Sequence, residues 1–462
     1  PPKGQSTKTV QTPWMPALAR MTDRFSRDRS PNASIRHLRP RPGGTVGLLF
    51  LLLLSIHASA FPVPPVPAGE IAAPGTGSGF VVTPCGYGGG GRFTCIALHP
   101  HNPRVLMVGS DVAGVFRSDN GGREFFVKGT GLEGFTAADI AFHPTREGFV
   151  ALITADGLYV SADLGERWRK ITPRIRYDQR FSGSRLLVFR EEVLWAATDR
   201  EGVFRVEFGP VGPSIRSVAG LEGRRIHCLA QTSDALWAAT DRGLFRLDSG
   251  GWEARNSGLK ASGIEVADLA AQPGGQLYVM EKSGGIYAWN EPKKEWEPRR
   301  PPLPPGGFGP SGSFKTLAVH PTDPKVLLAA THPEQWPHML FESRDGGRSW
   351  KLLQEFNLSP TAPSNWARTL NGPEKIVFSP GGDRVYLADW WNLWERSGEE
   401  GPWTQLHHGL QNSVVNDIRV DPRDPRRRLV CAADSGVMVS QDAGKTWTRK
   451  MNGVADGHAQ AL

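Results

Sequence analysis

The sequence predicts an all-β fold made of repeated four-stranded units. One phrase, Ser-x-Asp-x-Gly-x-(Ser/Thr)-Trp or a close variant, occurs four times, at Ser118–Phe125, Ser161–Trp168, Ser343–Trp350 and Ser440–Trp447. These phrases belong to a longer repeat with a period of about 35 to 50 residues, which is typical of propellers and solenoids. Within each repeat, short alternating apolar runs are separated by Gly-rich turns. Four such strands to a unit indicate the blades of a β-propeller.

Each unit shows its strands in the same order. The first strand often ends in a His-Pro or Asp-Pro turn, as in Thr94–Pro100, Asp139–Pro144, Lys315–Pro321 and Asp417–Pro422. An apolar second strand, an acidic turn and a short third strand follow, and the repeated phrase leads into the fourth. Units beginning near residues 93, 138, 184, 225, 265, 314, 374 and 415 predict a propeller of seven to eight blades over residues 81–456. Residues 457–462 read as the opening strand of a further repeat, so we keep a tandem propeller as an alternative.

The repeated phrase has the chemistry of a hairpin turn. Its Asp can accept hydrogen bonds from nearby backbone N–H groups, its Gly supplies a positive φ, and its aromatic residue packs as the next strand begins. We therefore expect Asp163, Asp345 and Asp442 to be structural. The phrase resembles the Asp-box, or BNR repeat, of sialidase-like β-propellers. That resemblance implies the fold and leaves the chemistry open.

The charge distribution argues against a nucleic-acid partner. The formal net charge is +8, but residues 1–60 contain nine Lys and Arg and only two acidic residues. The remaining chain has 45 basic and 44 acidic residues. A nearly neutral body without a basic stripe is a poor polyanion binder.

The basic N-terminal segment has the pattern of an export signal. Arg36, Arg39 and Arg41 precede the apolar run Val46–Ile56, which is followed by Ala58–Ala60. The run is shorter than the roughly 20 residues that span a bilayer, and Ala-x-Ala is a cleavage pattern. We expect residues 1–60 to comprise this signal, with a mis-assigned upstream segment, and residues 61–80 to form a Pro/Gly/Ala-rich lead-in. The prediction is a secreted or periplasmic protein without stable membrane insertion after cleavage; an uncleaved anchor is the alternative.

The cysteines and histidines suggest no cofactor. Cys95 and Cys228 occupy the same column of the first strand, which favours small core residues, and Cys431 falls in a second strand. A Cys85–Cys95 disulfide is the alternative for an exported protein. The sequence contains no Cys/His cluster with metal-ligand spacing and no Gly-rich phosphate loop between a strand and a helix, so we predict neither a metal nor a cofactor.

The turn between the second and third strands carries an acid in most units. The acids are Asp111, Asp156, Asp199, Asp241, Asp389 and Asp434. An Asp before Gly often satisfies turn N–H groups, so the column has a structural explanation. Asp111 stands apart because four consecutive glycines, Gly88–Gly91, enter its unit. Asp389 stands apart because tryptophans surround its turn.

The segment around Asp111 resembles the first blade of the xyloglucanase family of glycoside hydrolases. The resemblance rests on the Gly-rich strand and His-Pro turn of Gly86–Pro100 and on Ser110–Arg117, with departures at Ala113 and Phe116. It implies that Asp111 is the catalytic base of an inverting hydrolase, whose cleft lies between two seven-bladed propellers. A good copy of the family's acid motif is missing, so Asp389 and Asp434 are candidates for the general acid by position alone.

Indole rings stack on the apolar faces of sugars. Trp390 and Trp391 follow Asp389 directly, while Trp366 and Trp336 lie upstream, and we expect these four to bind substrate. Because successive strand residues alternate in direction, at most one of Trp390 and Trp391 is expected to be exposed. Trp394 is expected in the core. Simple packing is the alternative for the whole cluster.

The spacing of the two acidic turns decides whether they can work together. An inverting pair is about 6.5–9.5 Å apart. If eight units close one ring, units one and seven are two blades apart, so we expect Asp111 and Asp389 to exceed that window. The chain would then bind sugar without a complete acid–base pair.

Two functions follow from these observations. The first is an exported glycoside-hydrolase-like propeller that binds or hydrolyses a plant-type polysaccharide such as xyloglucan or another β-glucan. The second is a non-catalytic Asp-box propeller that serves as a binding or assembly scaffold, as in sortilin-type receptors. A sialidase is disfavoured, because the nearest string to its arginine motif, Pro173–Arg176, is misplaced.

Overall fold

The computed structural model describes residues 90–177, 185–259, 265–272, 274–282, 284–299, 314–332, 338–353, 356–357, 370–433 and 436–450. Every regular element in this part of the chain is a β-strand, and the strands form eight sheets. The predicted all-β propeller of four-stranded blades is confirmed. The described residues include no helix with the length and apolar character needed to cross a membrane.

The first four sheets are antiparallel meanders in chain order. Blade one contains β1 (Phe93–Leu98), β2 (Leu106–Ser110), β3 (Val115–Ser118) and β4 (Phe126–Val127). Blade two contains β5 (Ala137–Phe142), β6 (Val150–Thr154), β7 (Leu158–Ser161) and β8 (Arg169–Thr172). Blade three contains β9 (Leu187–Arg190), β10 (Val193–Ala197), β11 (Val203–Gly209) and β12 (Gly212–Val218). Blade four contains β13 (Ile226–Gln231), β14 (Leu236–Thr240), β15 (Gly243–Asp248) and β16 (Gly251–Ala254).

The other four sheets repeat the plan. Blade five contains β17 (Val266–Ala271), β18 (Leu277–Glu281), β19 (Ile286–Asn290) and β20 (Glu295–Arg299). Blade six contains β21 (Phe314–Val319), β22 (Leu327–Thr331), β23 (Leu340–Ser343) and β24 (Lys351–Leu353). Blade seven contains β26 (Lys375–Phe378), β27 (Arg384–Ala388), β28 (Leu393–Ser397) and β29 (Trp403–Leu406), with β25 (Phe356–Asn357) added in parallel as a fifth, outer strand. Blade eight contains β30 (Val415–Val420), β31 (Arg428–Ala432), β32 (Gly436–Ser440) and β33 (Thr448–Arg449).

Seven of these blades close into one ring. The innermost strands β1, β5, β9, β13, β17, β21 and β26 pack each against the next, and β26 and β27 pack against β1. Phe93 of blade one shares a core cluster with Tyr386 and Ala388 of blade seven, and its backbone N–H donates to the Asp389 carbonyl at 3.2 Å. The expectation that blades one and seven lie two blades apart in a ring of eight is therefore wrong, because these two blades are neighbours.

A recurring loop shows how the ring closes. After blade one, the Thr130 carbonyl accepts a hydrogen bond from the backbone N–H of Trp168 in blade two, at 2.8 Å. After blade seven, the His408 carbonyl accepts the same bond from Phe125 of blade one, at 2.9 Å. The following Gly409 has φ +83°, and a Cβ there would lie 2.0 Å from the Phe125 carbonyl oxygen. The contact that joins successive blades thus joins the last blade of the ring to the first.

Blade eight lies outside the ring, and one column of residues shows the difference. In the seven ring blades this first-strand column holds Ile96, Ile140, Leu187, Leu229, Leu269, Leu317 and Ile376, which are 0–5% exposed. Ile418 of β30 occupies the column in blade eight and is 56% exposed. The side chains of Val415 and Val420 beside it are exposed as well. The strand pairing of blade eight is complete while its inner face has no neighbouring blade among the described residues.

This contrast predicts different costs for one substitution. Ile96→Val removes a methylene group from a packed interface and should destabilise the ring by about 1 kcal/mol. Ile418→Val removes the same group from an exposed face and should change stability by less than about 0.5 kcal/mol. Chemical denaturation of the two variants beside the wild type measures both changes. Equal losses would contradict the placement of blade eight outside the ring.

The cysteines of the described residues are core residues. Cys95, Cys228 and Cys431 are buried free thiols, as expected for Cys95 and Cys228 from their shared column and for Cys431 from its place in a second strand. Burial raises the pKa of Cys95 and of Cys228 to about 12. Cys85, the proposed partner of Cys95, lies outside the described residues, as do the predicted signal and lead-in.

Candidate functional site

Asp111 lies in the turn between β2 and β3, where blade one meets blade seven. Its Oδ1 accepts hydrogen bonds from the Arg92 backbone N–H at 3.2 Å and from Asn412 Nδ2 at 3.4 Å. The Asp111 N–H donates in return to the Arg92 carbonyl at 3.1 Å. Arg92, the residue that follows the four glycines, thus holds this turn through both its backbone N–H and its backbone carbonyl group.

The environment of Asp111 suits a base. Its side chain is half-buried, and Oδ2 accepts no hydrogen bond from another described residue. Burial raises the pKa of Asp111, while its hydrogen bonds from Arg92 and Asn412 act in the opposite direction. A carboxylate with one oxygen fixed and the other open to solvent can accept a proton from a bound water or sugar hydroxyl.

Asp389 lies in the corresponding turn of blade seven, but its surroundings differ. The residue is 0% exposed. Its Oδ1 accepts from the backbone N–H groups of Trp391 and Asn392 at 2.8 and 2.6 Å. Its Oδ2 accepts from Trp394 Nε1 at 2.7 Å and from the Asn371 N–H at 3.2 Å. Burial raises the pKa of Asp389 to about 7, and these four donors oppose that rise. The arrangement holds the turn and leaves neither oxygen open to a substrate.

Glu374, which precedes β26, is a member of the site that sequence reasoning missed. It is buried, and its Oε1 lies 2.6 Å from Arg92 Nε and 2.8 Å from Trp390 Nε1. Its Oε2 lies 3.5 Å from Lys315 Nζ. Burial acts to raise the pKa of Glu374, but the Lys315 and Arg92 cations outweigh it and keep this carboxylate ionised. Arg92, Lys315 and Glu374 each stand at the start of a first strand, but they belong to three different blades, so no single unit of the sequence indicates that they meet.

The two neighbouring tryptophans lie in the turn between β27 and β28, outside both strands, and only Trp390 is exposed. Trp390 is 40% exposed, and its indole N–H is held by Glu374. One ring face lies on Gly372, where a Cβ would come within 2.8 Å of Trp390 Cγ. Trp391 instead packs against the small core of blade eight around Met438 and Trp447. Trp394 is fully buried, which confirms its expected place in the core.

These contacts make one connected site. Arg92 joins Asp111 through its backbone to Glu374 through its guanidinium, and Glu374 fixes Trp390. The site therefore combines a half-exposed carboxylate with a fixed indole that leaves one face open. Asp434, Trp336 and Trp366, the other predicted site residues, lie outside the described residues.

The repeated Ser-x-Asp-x-Gly turns lie at the opposite face, between the third and fourth strands. In blade six, Asp345 Oδ1 accepts from Ser343 Oγ and from the N–H groups of Arg348 and Ser349, each at 2.9 Å. Asp163 Oδ1 accepts from Ser161 Oγ at 2.6 Å, and Asp442 Oδ1 from Ser440 Oγ at 2.8 Å. The three aspartates thus close hairpins at the face of the blades opposite the face that carries Asp111.

Asp345 gives a pH-dependent prediction. Burial acts to raise its pKa, but the hydrogen bonds from Ser349, Ser343 and Arg348 together outweigh burial and lower the pKa to about 2. Because its pKa is lower in the folded state, Asp345 stabilises the fold at pH values above its unfolded pKa of about 3.9. This stabilisation is lost as the pH falls toward 2. Asp345→Ala should therefore cost about 1–2 kcal/mol at pH 7 and less at pH 2.5.

Thermal unfolding at the two pH values measures the Asp345 effect. Asp323→Ala, an exposed turn position in the same blade, is the matched control. A loss of glycan binding in Asp345→Ala at unchanged melting temperature would contradict a structural role.

The described residues contain no group of three or more His, Cys, Asp or Glu side chains arranged to hold a metal ion.

Known proteins resemble the chain over most of its length. No family model matches it. An oligoxyloglucan-reducing end-specific xyloglucanase from Emericella nidulans is 22% identical over 396 residues, which cover 79% of this chain and 40% of that protein. A GH74 enzyme from Niastella koreensis has a similar structure, with a TM-score of 0.63, 16% identity and coverage of 81% of this chain and 68% of the other. A GH74 xyloglucanase from Xanthomonas campestris gives a TM-score of 0.59 at 16% identity, covering 78% and 68%.

The chain spans about 40% of the length of the Emericella relative that it matches. The likeness to solved structures is at the level of the fold, since the identities are low. The chain has distant xyloglucanase homologues and shares the β-propeller fold of GH74 glycoside hydrolases.

Proposed function

We propose that this protein is an exported, Asp-box propeller of glycoside-hydrolase type that acts on xyloglucan or a related β-glucan. The observation that carries the proposal is the pairing of Asp111 with the fixed, exposed ring of Trp390 through Arg92 and Glu374. The xyloglucanase homologues support the substrate class. The N-terminal signal pattern supports export.

In this proposal Asp111 is the catalytic base. Its open Oδ2 would accept a proton from the attacking water, while Arg92 and Asn412 hold Oδ1. An inverting hydrolase also needs a general acid across the cleft. Asp389 is ill-suited because four N–H donors occupy its buried oxygens, so we propose that it holds the turn that carries Trp390. Asp434 is then the remaining candidate for the acid.

An assay of xyloglucan hydrolysis distinguishes an enzyme from a protein that only binds the glycan. Purified chain is incubated with xyloglucan, and release of reducing ends is followed beside Asp111→Asn and Asp434→Asn. Turnover that both substitutions suppress supports the assigned pair. Saturable glycan binding without turnover supports the scaffold alternative, and absence of both binding and turnover contradicts a glycan function.

Trp390 gives a prediction about affinity. Trp390→Ala removes the exposed ring and should weaken xyloglucan binding by about tenfold, which corresponds to a stacking energy of order 1 kcal/mol. Affinity electrophoresis or calorimetry with xyloglucan oligosaccharides measures the change. Trp391→Ala is the control, because its ring packs on blade eight and its loss should affect stability more than affinity. Equal affinity of Trp390→Ala and wild type would remove this residue from the proposed site.

A further inference from the structure

The ring contains a cavity away from Asp111. Its volume is about 260 Å³, and it lies between the first strands of blades five, six, seven and one. Its lining includes Leu98, Leu269, Leu317, Val319 and Phe378, at the ends of those strands nearest the first turns. These turns are on the face opposite the candidate site, whereas Lys375 and Arg185, which also line the cavity, stand at the starts of their first strands.

Two cations, Lys375 and Arg185, line this cavity together with the carboxylate of Asp268. Lys375 is 5% exposed, and its ammonium group forms no hydrogen bond and no close ion pair with a described residue, although its charge acts on the Asp139 carboxylate through space. Arg185, which is half-buried, also lines the cavity, and its guanidinium forms no hydrogen bond or ion pair with a described residue. Neither side chain has a close acceptor among the described residues, so each can donate to an acceptor that a ligand supplies.

The nearby carboxylates already have donors of their own. Asp139 Oδ2 accepts from the backbone N–H groups of Leu186 and Leu187 at 2.7 and 2.9 Å. The two oxygens of Asp268 accept from the N–H groups of Leu269 and Leu317, each at 2.8 Å. Backbone donors thus engage both carboxylates, and Lys375 and Arg185 act on Asp139 only through space, where they oppose the rise in its pKa that burial causes.

We propose that this cavity binds a small organic carboxylate. Its carboxylate group would accept hydrogen bonds from Lys375 and Arg185, and its hydrocarbon part would lie against the leucine, valine and phenylalanine walls. The apolar lining favours an organic acid over an inorganic anion. Since the volume is below the roughly 300–1,000 Å³ of pockets for drug-sized ligands, the acid has only a few carbon atoms.

Matched probes test the charge requirement. Butyrate and its uncharged isostere butyramide are titrated into the purified chain at constant ionic strength, with sulfate as a third probe. A ligand that binds only the folded state raises its melting temperature. Butyrate should raise it in a saturable manner, and butyramide and sulfate should not. Calorimetry then gives the dissociation constant for butyrate.

Substitutions connect the response to the two cations. Lys375→Met should abolish the butyrate response, Arg185→Gln should weaken binding at least tenfold, and Lys375→Arg should retain it. Lys351→Met, an exposed position on β24, is the control. Equal shifts with butyrate and butyramide, or a wild-type response in Lys375→Met, would overturn the proposal. A sulfate response as strong as that of butyrate would overturn the preference for an organic acid. If Lys375→Met does not fold, the butyrate responses of Arg185→Gln and Lys375→Arg test the proposal in its place.

Discussion

Asp111→Asn should lower the rate of xyloglucan hydrolysis by about 10²–10⁴-fold while the protein stays folded. The amide keeps the shape of the side chain and can still accept hydrogen bonds from Arg92 and Asn412 through its oxygen. It cannot take a proton from the attacking water, so the loss should fall on kcat. The rate of reducing-end release and the melting temperature are measured on the same preparation.

A matched variant separates loss of the base from loss of charge near the site. Asp156→Asn alters the corresponding turn of blade two, where the carboxylate is bound by Tyr159 and Lys170. It should leave the rate of hydrolysis within about twofold of the wild type. If wild type hydrolyses xyloglucan and Asp111→Asn matches its rate, Asp111 is not the base.

The pH profile gives a second check on the same residue. Burial raises the pKa of Asp111, so the fraction ionised falls at a higher pH than for an ordinary aspartate. A base must be ionised to act, and activity should therefore decline on the acidic side of the profile as Asp111 gains its proton. Loss of that acidic limb in Asp111→Asn, with residual activity independent of pH, would agree with the assignment.

The repeat made the blades predictable because every strand carries its own local signal. The predicted starts near residues 93, 138, 184, 225, 265, 314, 374 and 415 lie within a few residues of β1, β5, β9, β13, β17, β21, β26 and β30. The expectation that at most one of Trp390 and Trp391 is exposed also holds, although both lie in a turn where strand alternation does not apply. These features depend on neighbours within one blade.

Ring closure was not predictable in the same way. Blade eight carries the same strand pattern as the other seven, and only packing against other blades distinguishes Ile418 from Ile96. The relative placement of Asp111 and Asp389 depended on that closure. The Gly409 loop carried a local signal, since it repeats the Gly-Leu pair of earlier loops, but its partner Phe125 is almost 300 residues away in sequence.

The buried charges of the site were missed for a related reason. Glu374, Arg92 and Lys315 come from blades seven, one and six, and each is unremarkable within its own strand. Their meeting requires the curvature of the ring, which brings the starts of first strands together. Asp389, in contrast, stood out in the sequence because of its tryptophans, although the structure uses its oxygens to hold the turn.

Glu374→Ala should be strongly destabilising, by about 3–5 kcal/mol, because it leaves two cations in the interior without their shared carboxylate. Lys315 Nζ lies 3.5 Å and Arg92 Nε 2.6 Å from Glu374, whose side chain is 1% exposed. Burial already lowers the pKa of Lys315, and Glu374 opposes that change. Without Glu374, Lys315 should lose its proton more readily, so the deficit in stability should shrink as the pH rises.

The Glu374 prediction is tested by chemical denaturation at pH 7 and pH 9.5, with Glu399→Ala as the control. Glu399 is an exposed residue whose contact with Arg344 lies at the protein surface, so its loss should cost less than about 1 kcal/mol. Where Glu374→Ala is too unstable to purify, Glu374→Gln keeps the acceptor for Trp390 Nε1 and removes only the charge. In that variant the stability should fall while Trp390 keeps its orientation, which the fluorescence of the indole reports. Stability equal to that of the wild type in both variants would show that Glu374 does not compensate the two cations.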